Sequence, residues 1–248
     1  MNLQDKVAII TGSASGIGKQ MAIRLSQKGA IVVIADLKEG EVQQLVSLIQ
    51  NDGQKALGVR IDITIKSEVE KLIKRVVGEF GQVDILINSA GILHATPIES
   101  ISEEEWDRVM AVNLKGTFLC CQAAIPYMKE KRYGRIINMA SNAGRDGGVS
   151  TGLAYSASKA GVIGLTRGLA KRLAAWEITC NCIAPGTTES DMLKAYSPEV
   201  LETLRQSIPL RKFAQPEDLA ELACFIASDN ASFMTGAVVD INGGLFIG

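Results

Sequence analysis

The sequence has almost no excess charge. Its 248 residues include 26 Lys or Arg and 27 Asp or Glu, which gives a formal net charge of -1. Proteins that bind nucleic acids or anionic membrane surfaces generally need a basic excess, so we expect neither partner. No apolar run reaches the roughly 18 residues of a membrane span. The opening segment, MNLQDKVAIITG, lacks the apolar core and cleavage site of a secretory signal. These absences predict a cytoplasmic protein.

Aromatic residues, cysteine and histidine are also scarce. Phe, Trp and Tyr make up 5% of the chain, which has five cysteines and one histidine. An odd number of cysteines without metal-ligand spacing argues against a disulfide framework or a zinc site. We therefore predict no metal site and expect buried thiols in a reducing compartment. The cysteines are Cys120, Cys121, Cys180, Cys182 and Cys224.

Apolar residues are plentiful, at 47% of the chain, and follow an alternating pattern. Short β-branched runs predict strands at residues 6–11, 31–36, 56–61, 83–88, 135–140, 178–184 and 238–241. Helical patterns lie at residues 17–27, 40–50, 67–79, 102–129, 155–175 and 216–227. This alternation predicts an α/β fold with a doubly wound parallel sheet of about seven strands and helices on both faces. No linker, repeat or low-complexity tract divides the chain, so we expect residues 1–248 to form a single domain.

Two helical stretches are more apolar than a helix on a sheet surface requires. Residues 108–125 and 157–175 carry apolar or small side chains around much of their circumference. A helix that covers one sheet face needs a single apolar stripe. We expect these helices to be buried against sister subunits of a homotetramer. The alternative is deep burial inside the domain core.

A glycine-rich segment joins the first predicted strand to the first helix. Residues 11–18 read TGSASGIG. Glycines at such a junction let the backbone turn tightly and approach a pyrophosphate, and the helix N-terminus offers free N–H groups. This position favours a dinucleotide site over a glycine-rich turn without a ligand. The loop residues assigned to the cofactor are Gly12, Ser15, Gly16, Ile17 and Gly18.

An acidic residue ends the second predicted strand. Asp36 can accept hydrogen bonds from both ribose hydroxyls of an adenosine, and its charge would repel a 2′-phosphate. Ser15 and Leu37 supply no cation beside it, and Lys38 is the nearest one. This pattern favours NAD(H) over NADP(H), the alternative being that Asp36 is a solvated turn acid. Asp62, after the third strand, could accept from the adenine amino group or cap a helix.

A Tyr–Lys pair offers acid–base chemistry. Tyr155 and Lys159 are four residues apart on a predicted helix, so they share one face. A free tyrosine has a pKa of about 10, and a nearby ammonium would lower that pKa toward neutrality. By itself the pair could be a plain surface contact. Ser141 at the end of an upstream strand, together with the nucleotide loop, indicates a catalytic pair instead.

These motifs resemble the short-chain dehydrogenase/reductase family along essentially the whole chain. The motifs that carry the resemblance are TGSASGIG at 11–18, Asp62, NSAG at 88–91, Asn113, Ser141, Tyr155, Lys159, Pro185, Gly186 and DINGG at 240–244. The resemblance implies a Rossmann domain and an NAD(P)-dependent enzyme that interconverts a ketone and a secondary alcohol. It implies that Tyr155 exchanges the proton and that Lys159 lowers the pKa of Tyr155 and binds the nicotinamide ribose. Ser141 would hold the substrate oxygen. Asn113 would hold a water that links Lys159 to solvent.

The resemblance also assigns residues to the cofactor cleft. They are Leu37, Asp62, Ile63, Asn88, Ala90, Gly91, Pro185, Gly186 and Thr188, with Ile183 beside Thr188 at the nicotinamide carboxamide. Ser89 stands where the family usually has a second Asn that braces the sheet. We expect this exchange to alter local support and to leave the chemistry unchanged.

Two segments are expected to meet the substrate. Residues 187–211 follow the sixth predicted strand at the carboxyl edge of the sheet, where ligands of such sheets bind, and predict a substrate lid. The other segment holds three glycines and two candidate contacts, which could equally be plain turn residues. These are Gly144, Gly147, Gly148, Val149 and Leu153. His94, the single histidine, is a further candidate contact, although no family role falls on it.

Within the family, the chain is most similar to 3-oxoacyl-acyl-carrier-protein reductases. KRYGR at 131–135 and NGG at 242–244 carry this likeness. Such reductases generally have Arg where Ser15 stands, which serves NADP, and a second basic residue for carrier docking where Trp176 stands. Only the counterpart of Arg132 remains, which weakens steering of an acidic carrier. An NAD-linked dehydrogenase of a small alcohol, hydroxyacid or sugar is therefore equally open. The alternative is a reductase of β-ketoacyl thioesters that uses NADPH.

Two other protein classes share parts of this pattern. A nucleotide-binding regulator could keep the fold without the chemistry, and methyltransferases also pair a glycine loop with an acid after the second strand. Neither has a use for Tyr155 and Lys159 with an upstream Ser141, so the intact set argues against both.

Overall fold

Seven parallel strands form one sheet in the computed structural model, which describes residues 1–148, 151–190, 193 and 197–248. The strands are β1 (Val7–Thr11), β2 (Ile31–Asp36), β3 (Ala56–Arg60), β4 (Ile85–Asn88), β5 (Gly134–Met139), β6 (Ile178–Pro185) and β7 (Val238–Ile241). Their order across the sheet is β3-β2-β1-β4-β5-β6-β7. This order confirms the predicted doubly wound α/β fold.

Helices connect the strands and cover both faces of the sheet. They are α1 (Gly16–Gln27), α2 (Glu39–Asn51), α3 (Lys66–Phe80), α4 (Glu103–Met110), α5 (Thr117–Lys131), α6 (Ala143–Asp146), α7 (Leu153–Leu173), α8 (Pro198–Ser207) and α9 (Pro216–Ala227). Helices α1, α2 and α9 share one buried cluster, which includes Met21 and Leu219. Helices α3, α5 and α7 share a second cluster, which includes Val69, Leu119 and Ala170. The core therefore lies in two layers, one on each side of the sheet.

The helix predicted over residues 102–129 is interrupted. A wider π-helical turn, Ala111–Gly116, joins α4 to α5, and the apolar periodicity did not predict it. The stretch Glu103–Lys131 is also the one helix, among the described residues, that is long and apolar enough to cross a membrane by length and composition alone. Half of its most apolar window is buried in the fold, where Leu119 and Ala124 join the core. Packing on the sheet thus accounts for part of its apolar composition.

Helix α8 lies inside the predicted lid at residues 187–211, and the apolar pattern did not predict it. The Ser197 hydroxyl accepts a hydrogen bond from the Val200 N–H at 3.4 Å, and Pro198 occupies the first turn. Both are common at helix starts, so this Ser–Pro pair was the available signal. Positions 149, 150, 191, 192 and 194–196 lie outside the described residues, and with them the candidate contact Val149 and part of the predicted lid.

All five cysteines are free and buried, as predicted. Burial raises the pKa of every one of these thiols, for Cys121 to about 12 and for Cys182 to about 11. The thiols therefore stay protonated at neutral pH and pack as small apolar groups.

A crevice opens where the strand order reverses. β1 has β2 on one side and β4 on the other, so the connections that follow β1 and β4 leave in opposite directions. Thr11 and Asn88, the last residues of β1 and β4, are paired in register. Ser141 follows β5, the next strand along. The carboxyl ends of these three strands position the site described next.

Candidate active site

The glycine-rich segment forms a turn with no room for side chains. A Cβ on Gly12 would lie 2.5 Å from Ala90 Cα, and one on Gly18 would lie 2.3 Å from the Gly12 carbonyl oxygen. Gly16 has a φ of +54° and faces open space at the start of α1. The bare backbone can therefore come close to a phosphate, and the residues present fit a nicotinamide dinucleotide.

Two polar side chains hold this turn against the end of β2. The buried Ser13 hydroxyl accepts from the Ala35 N–H at 3.1 Å, a contact that the glycine motif alone did not indicate. One oxygen of Asp36 accepts from the Ala14 N–H at 3.1 Å, and the other accepts from the Lys38 N–H at 3.2 Å. Asp36 is thus fixed beside the phosphate turn by two backbone donors.

The crevice is a cleft of about 720 Å³ that contains most of the predicted cofactor residues. It is lined by Gly12, Ser15, Gly16, Ile17, Gly18, Asp36, Leu37, Asp62, Ile63, Ala90, Gly91, Ser141, Tyr155, Lys159, Pro185, Gly186 and Thr188. Sequence reasoning missed further lining residues, among them Ser89, Ile92, Leu93 and Val112. Most of these are isolated apolar wall positions, which no motif spacing marks.

Asp62 is held by its own turn. One carboxylate oxygen accepts from both the N–H and the hydroxyl of Thr64, at 2.9 and 2.7 Å. Burial by itself would raise the pKa of Asp62, but these bonds and the charges of Arg108 and Arg60 outweigh it and hold that pKa below its usual value. Asp62 lines the cleft as an anion and lies ahead of the N-cap of α3, which is Ile65.

Two residues assigned to the cleft lie elsewhere. Asn88 is buried, and its amide donates to Asn138 Oδ1 at 2.8 Å and to Cys121 Sγ at 3.3 Å. Its side chain therefore braces β4 against β5, while the neighbouring Ser89 lines the cleft. Ile183 is fully buried in the apolar layer under α1 and α9, because its position on β6 turns it to that face. These placements correct the cleft assignment of both side chains.

Tyr155 and Ser141 meet at the carboxyl edge of the sheet. Ser141, which follows the end of β5, and Tyr155, in the first turn of α7, both line the cleft, and the Ser141 hydroxyl is close enough to Tyr155 to act on its pKa. Lys159 lies one turn further along α7, with its Nζ 5.6 Å from the centroid of the Tyr155 ring. The predicted helix start at residue 155 was two residues late, and the Tyr–Lys spacing on one face is as expected.

Burial dominates the acid–base properties of this pair. It raises the pKa of Tyr155, and the nearby Ser141 hydroxyl opposes that rise. Burial lowers the pKa of Lys159 to about 8. Lys159 Nζ donates to the Met139 carbonyl at 2.7 Å, so part of its hydrogen-bonding capacity is turned toward β5. Lys159 is not among the groups that shift the pKa of Tyr155 here, so the expected lowering of that pKa by Lys159 stays a prediction.

Asn113 lies in the wide turn between α4 and α5 and clamps the loop that follows β4. Its Oδ1 accepts from the Ile92 N–H at 2.8 Å, and its Nδ2 donates to the Ile92 carbonyl at 2.9 Å and to Ser158 Oγ at 3.0 Å. The side chain is fully buried and does not line the cleft. Its own carbonyl accepts from the Thr117 hydroxyl at 2.8 Å. The water that the family resemblance places on Asn113 would therefore have to share the Asn113 backbone carbonyl with the Thr117 hydroxyl.

The expected substrate segments are only partly placed. His94 lines the cleft near Leu93, and its carbonyl touches Gly152 just before α7. Gly144 packs on α7 instead, since a Cβ there would lie 2.7 Å from the Lys159 carbonyl carbon. Leu153 is exposed and lies outside the lining of the cleft. Thr188 and Ser190 of the predicted lid do line it.

Comparison with known proteins gives full-length matches. Residues 12–246 match the family model described as enoyl-(acyl carrier protein) reductase. The chain is 42% identical over 250 residues to (2S)-[(R)-hydroxy(phenyl)methyl]succinyl-CoA dehydrogenase subunit BbsD of Thauera aromatica, with all of both chains covered. It is 39% identical over 247 residues to 3-oxoacyl-[acyl-carrier-protein] reductase FabG of Thermotoga maritima, again with all of both chains covered.

A solved structure shows the same architecture. The crystal structure of gox2181 superposes with a TM-score of 0.95 and 33% identity, covering 98% of this chain and 96% of the other. Fold, motif positions and full-length similarity therefore agree. The chain belongs to the short-chain dehydrogenase/reductase family, whose members act on CH–OH groups of small-molecule substrates with a nicotinamide cofactor.

Proposed function

We propose that this chain interconverts a ketone and a secondary alcohol, with Tyr155 as the general acid and base. The observation that carries the proposal is the Tyr155–Ser141 hydroxyl pair, with Lys159 one turn away, inside a cleft walled by the glycine-rich turn. The nicotinamide cofactor, when bound, supplies or accepts the hydride. Pro185, Gly186 and Thr188 are placed to hold its nicotinamide end, by analogy with the family.

Each polar group then has a role that follows from its position. Tyr155 gives its proton to the substrate oxygen during reduction and removes it during oxidation. Ser141 hydrogen-bonds the same oxygen and stabilises the charge that develops on it. The Lys159 ammonium favours the phenolate that Tyr155 becomes when its proton leaves. Asn113 keeps the loop at Ile92 in place against this group.

We also propose that the cofactor is NAD(H). The support is Asp36, which lines the cleft with both carboxylate oxygens fixed by backbone donors. A fixed negative charge at the adenosine end favours ribose hydroxyls and disfavours a 2′-phosphate. NADP(H) remains the competing cofactor, since Lys38 also lines this end of the cleft.

An acyl thioester is the second candidate substrate. The names of both relatives describe hydroxy or oxo compounds carried on coenzyme A or on acyl carrier protein. At the position of the expected carrier-docking residue Arg132, the guanidinium lies 3.5 Å from Glu177, which reduces the net positive charge offered to an acidic carrier there. This favours a substrate that reaches the cleft without a docked carrier protein.

The remaining features support a single-domain, assembled, cytoplasmic enzyme. We propose residues 1–248 as one domain, since the sheet takes strands from Val7 to Ile241 and both cofactor and substrate groups lie on it. A homotetramer is proposed from the apolar faces of α5 and α7. The buried free thiols are compatible with a reducing compartment.

A substrate panel tests this proposal. NADH and NADPH oxidation would be followed with simple ketones, oxidised sugars, acetoacetyl-CoA, its acyl-carrier-protein counterpart and an enoyl thioester, and alcohols would be tested in reverse. We expect turnover of a ketone with NADH.

Tyr155→Phe should lose at least about 1,000-fold in kcat and still bind NADH, because only proton transfer is removed. Turnover of the enoyl thioester alone, or an active Tyr155→Phe variant, would contradict the proposal.

A further inference from the structure

Ser158 is a buried serine on α7 with two hydrogen bonds. Its hydroxyl donates to the Tyr155 carbonyl at 2.7 Å, a local contact within the helix. It also accepts from Asn113 Nδ2 at 3.0 Å, which joins α7 to the wide turn between α4 and α5. The side chain is fully buried, so no solvent can replace either partner. Ser158 also lies directly before Lys159 in the chain.

The second bond completes a junction between three segments. The Asn113 amide holds the N–H and the carbonyl of Ile92, and its remaining N–H is the one that Ser158 accepts. The preceding Gly91 faces both side chains, since a Cβ on it would lie 3.4 Å from Asn113 Oδ1 and from Lys159 Nζ. Asn113 and Lys159 therefore flank the same point on this wall of the cleft, and Ser158 joins Asn113 to the helix that carries Lys159.

We propose that Ser158 is a positioning residue that couples Asn113 to the Tyr155–Lys159 helix. The inference rests on the proposed reaction. Removing the hydroxyl leaves one amide N–H of Asn113 without its partner in a dry site and frees α7 to shift against the loop at Ile92. A small displacement of a proton-transferring group is costly to the rate, while the cofactor's phosphate end, bound at α1, is untouched.

Ser158→Ala tests the coupling, with Ser26→Ala as the matched control. Ser26 is also buried in a helix and donates to the carbonyl three residues earlier, but no residue of another element in the described part of the chain bonds to its hydroxyl. With NADH and the panel ketone of highest turnover, Ser158→Ala should lower kcat about 10- to 100-fold and change the KM for NADH less than about twofold. Its alkaline activity limit should move to higher pH, because looser packing admits water to Lys159 and raises that pKa. Ser26→Ala should change neither quantity. Equal losses in both variants, or an unchanged kcat in Ser158→Ala, would overturn the proposal.

A double-mutant cycle and hydrogen exchange separate coupling from general destabilisation. If Ser158 acts through Asn113, Ser158→Ala should cost less than about twofold in an Asn113→Ala background, and additive losses would refute it. Exchange of the Ile92 amide, which Asn113 Oδ1 holds, should quicken at least about tenfold in Ser158→Ala and stay unchanged in Ser26→Ala. Unchanged Ile92 exchange would refute the coupling. This readout needs no substrate, so it decides the coupling even if no ketone is turned over and the proposed reaction itself fails.

Discussion

Asp36 shows how a single carboxylate can set cofactor choice. Its two oxygens are used by the N–H groups of Ala14 and Lys38, which fix the charge at the adenosine end of the cleft. A mobile surface acid would turn away from a 2′-phosphate at little cost. A carboxylate fixed by two backbone donors must face the 2′-phosphate, so the repulsion between the carboxylate and the 2′-phosphate persists.

Asp36→Asn should therefore shift the cofactor preference. The amide keeps the shape and one acceptor and removes the negative charge, so we expect the ratio of kcat/KM for NADPH over NADH to rise about tenfold or more, equivalent to about 1.4 kcal/mol. Steady-state kinetics with both cofactors measure this ratio. Asp52→Asn, the same change at an exposed acid after α2, is the control and should leave it unaltered. A wild-type preference for NADPH would contradict the assignment.

Lys159 gives the reaction an alkaline limit. Burial lowers the pKa of Lys159 to about 8, so its ammonium is lost as pH rises through that value. We expect kcat/KM to fall about tenfold per pH unit above this point. The pKa of Lys159 in the folded chain lies below its ordinary value of 10.5. Between these two pH values the unfolded chain binds more protons than the folded chain, so deprotonation of Lys159 does not destabilise the fold. Melting temperatures measured alongside the pH profile should therefore stay level from pH 6.5 to about 8 and rise, not fall, between pH 8 and 9. A rate that is flat to pH 9 would argue against a role for the ammonium.

At this scale, residue type and spacing predicted which candidate reacting groups share the cleft. Tyr155, Lys159 and Ser141 were found because their chemistry demands particular side chains at particular distances along the chain. Asn88 was misplaced because its role depends on which face of β4 its side chain takes, and motif position does not reveal that. Ser158 escaped notice because its partner is 45 residues away in the sequence.

The elements around the site meet by direct backbone contact. The loop after β4 crosses the start of α7 at Gly152, where a Cβ would lie 1.8 Å from the His94 carbonyl oxygen. Tyr155 follows three residues later. Loop and helix can approach this closely only because Gly152 has no side chain.

Gly152→Ala should push this loop off α7. The overlap is with backbone and cannot be relieved by a rotamer change, so we expect a loss of about 1–3 kcal/mol in the free energy of unfolding and a reduced kcat. Denaturant titration and steady-state kinetics measure the two effects. Gly78→Ala is the control, because Gly78 is an exposed position inside α3 with nothing within 4 Å of its added Cβ. That variant should be more stable by about 0.5–1 kcal/mol. Equal stability of the two variants would show that a side chain at position 152 does not clash with the His94 carbonyl.

The elements themselves were predicted to within a few residues wherever apolar periodicity is strong. The wide turn Ala111–Gly116 was not, because a π-helical turn keeps the composition of the helix around it and changes only the hydrogen-bond pattern. α8 was missed because it has no buried residues, so its sequence carries no core-facing stripe.

The whole molecule leaves an apolar groove uncovered beside the catalytic helix. The groove has a volume of about 630 Å³ and lies between the wide turn, α5 and α7, with an apolar lining formed mainly by Met110, Ala111, Leu114, Phe118 and Leu165. The high apolar content of residues 108–125 and 157–175 was expected to serve either the core or sister subunits. Part of both stretches is indeed core, where Cys120, Ala124 and Ala170 pack. Most of the groove residues are not part of a core cluster, although Leu114 also packs against the buried cluster that includes Val162.

This division supports assembly through the groove. Phe118 is 42% exposed at the groove, with Asp107 and Lys115 also in the lining, and burying such a surface in a second copy would remove apolar area from water. Light scattering of the wild-type protein should report a tetramer. Phe118→Glu should dissociate it to smaller species, because the interface would then have to bury an unpaired charge. Leu48→Glu, the same kind of change at a leucine of α2 that is 45% exposed, should leave the tetramer intact. A monomeric wild-type protein, or dissociation by both variants alike, would mean that the groove is no subunit interface and that its apolar lining has another cause.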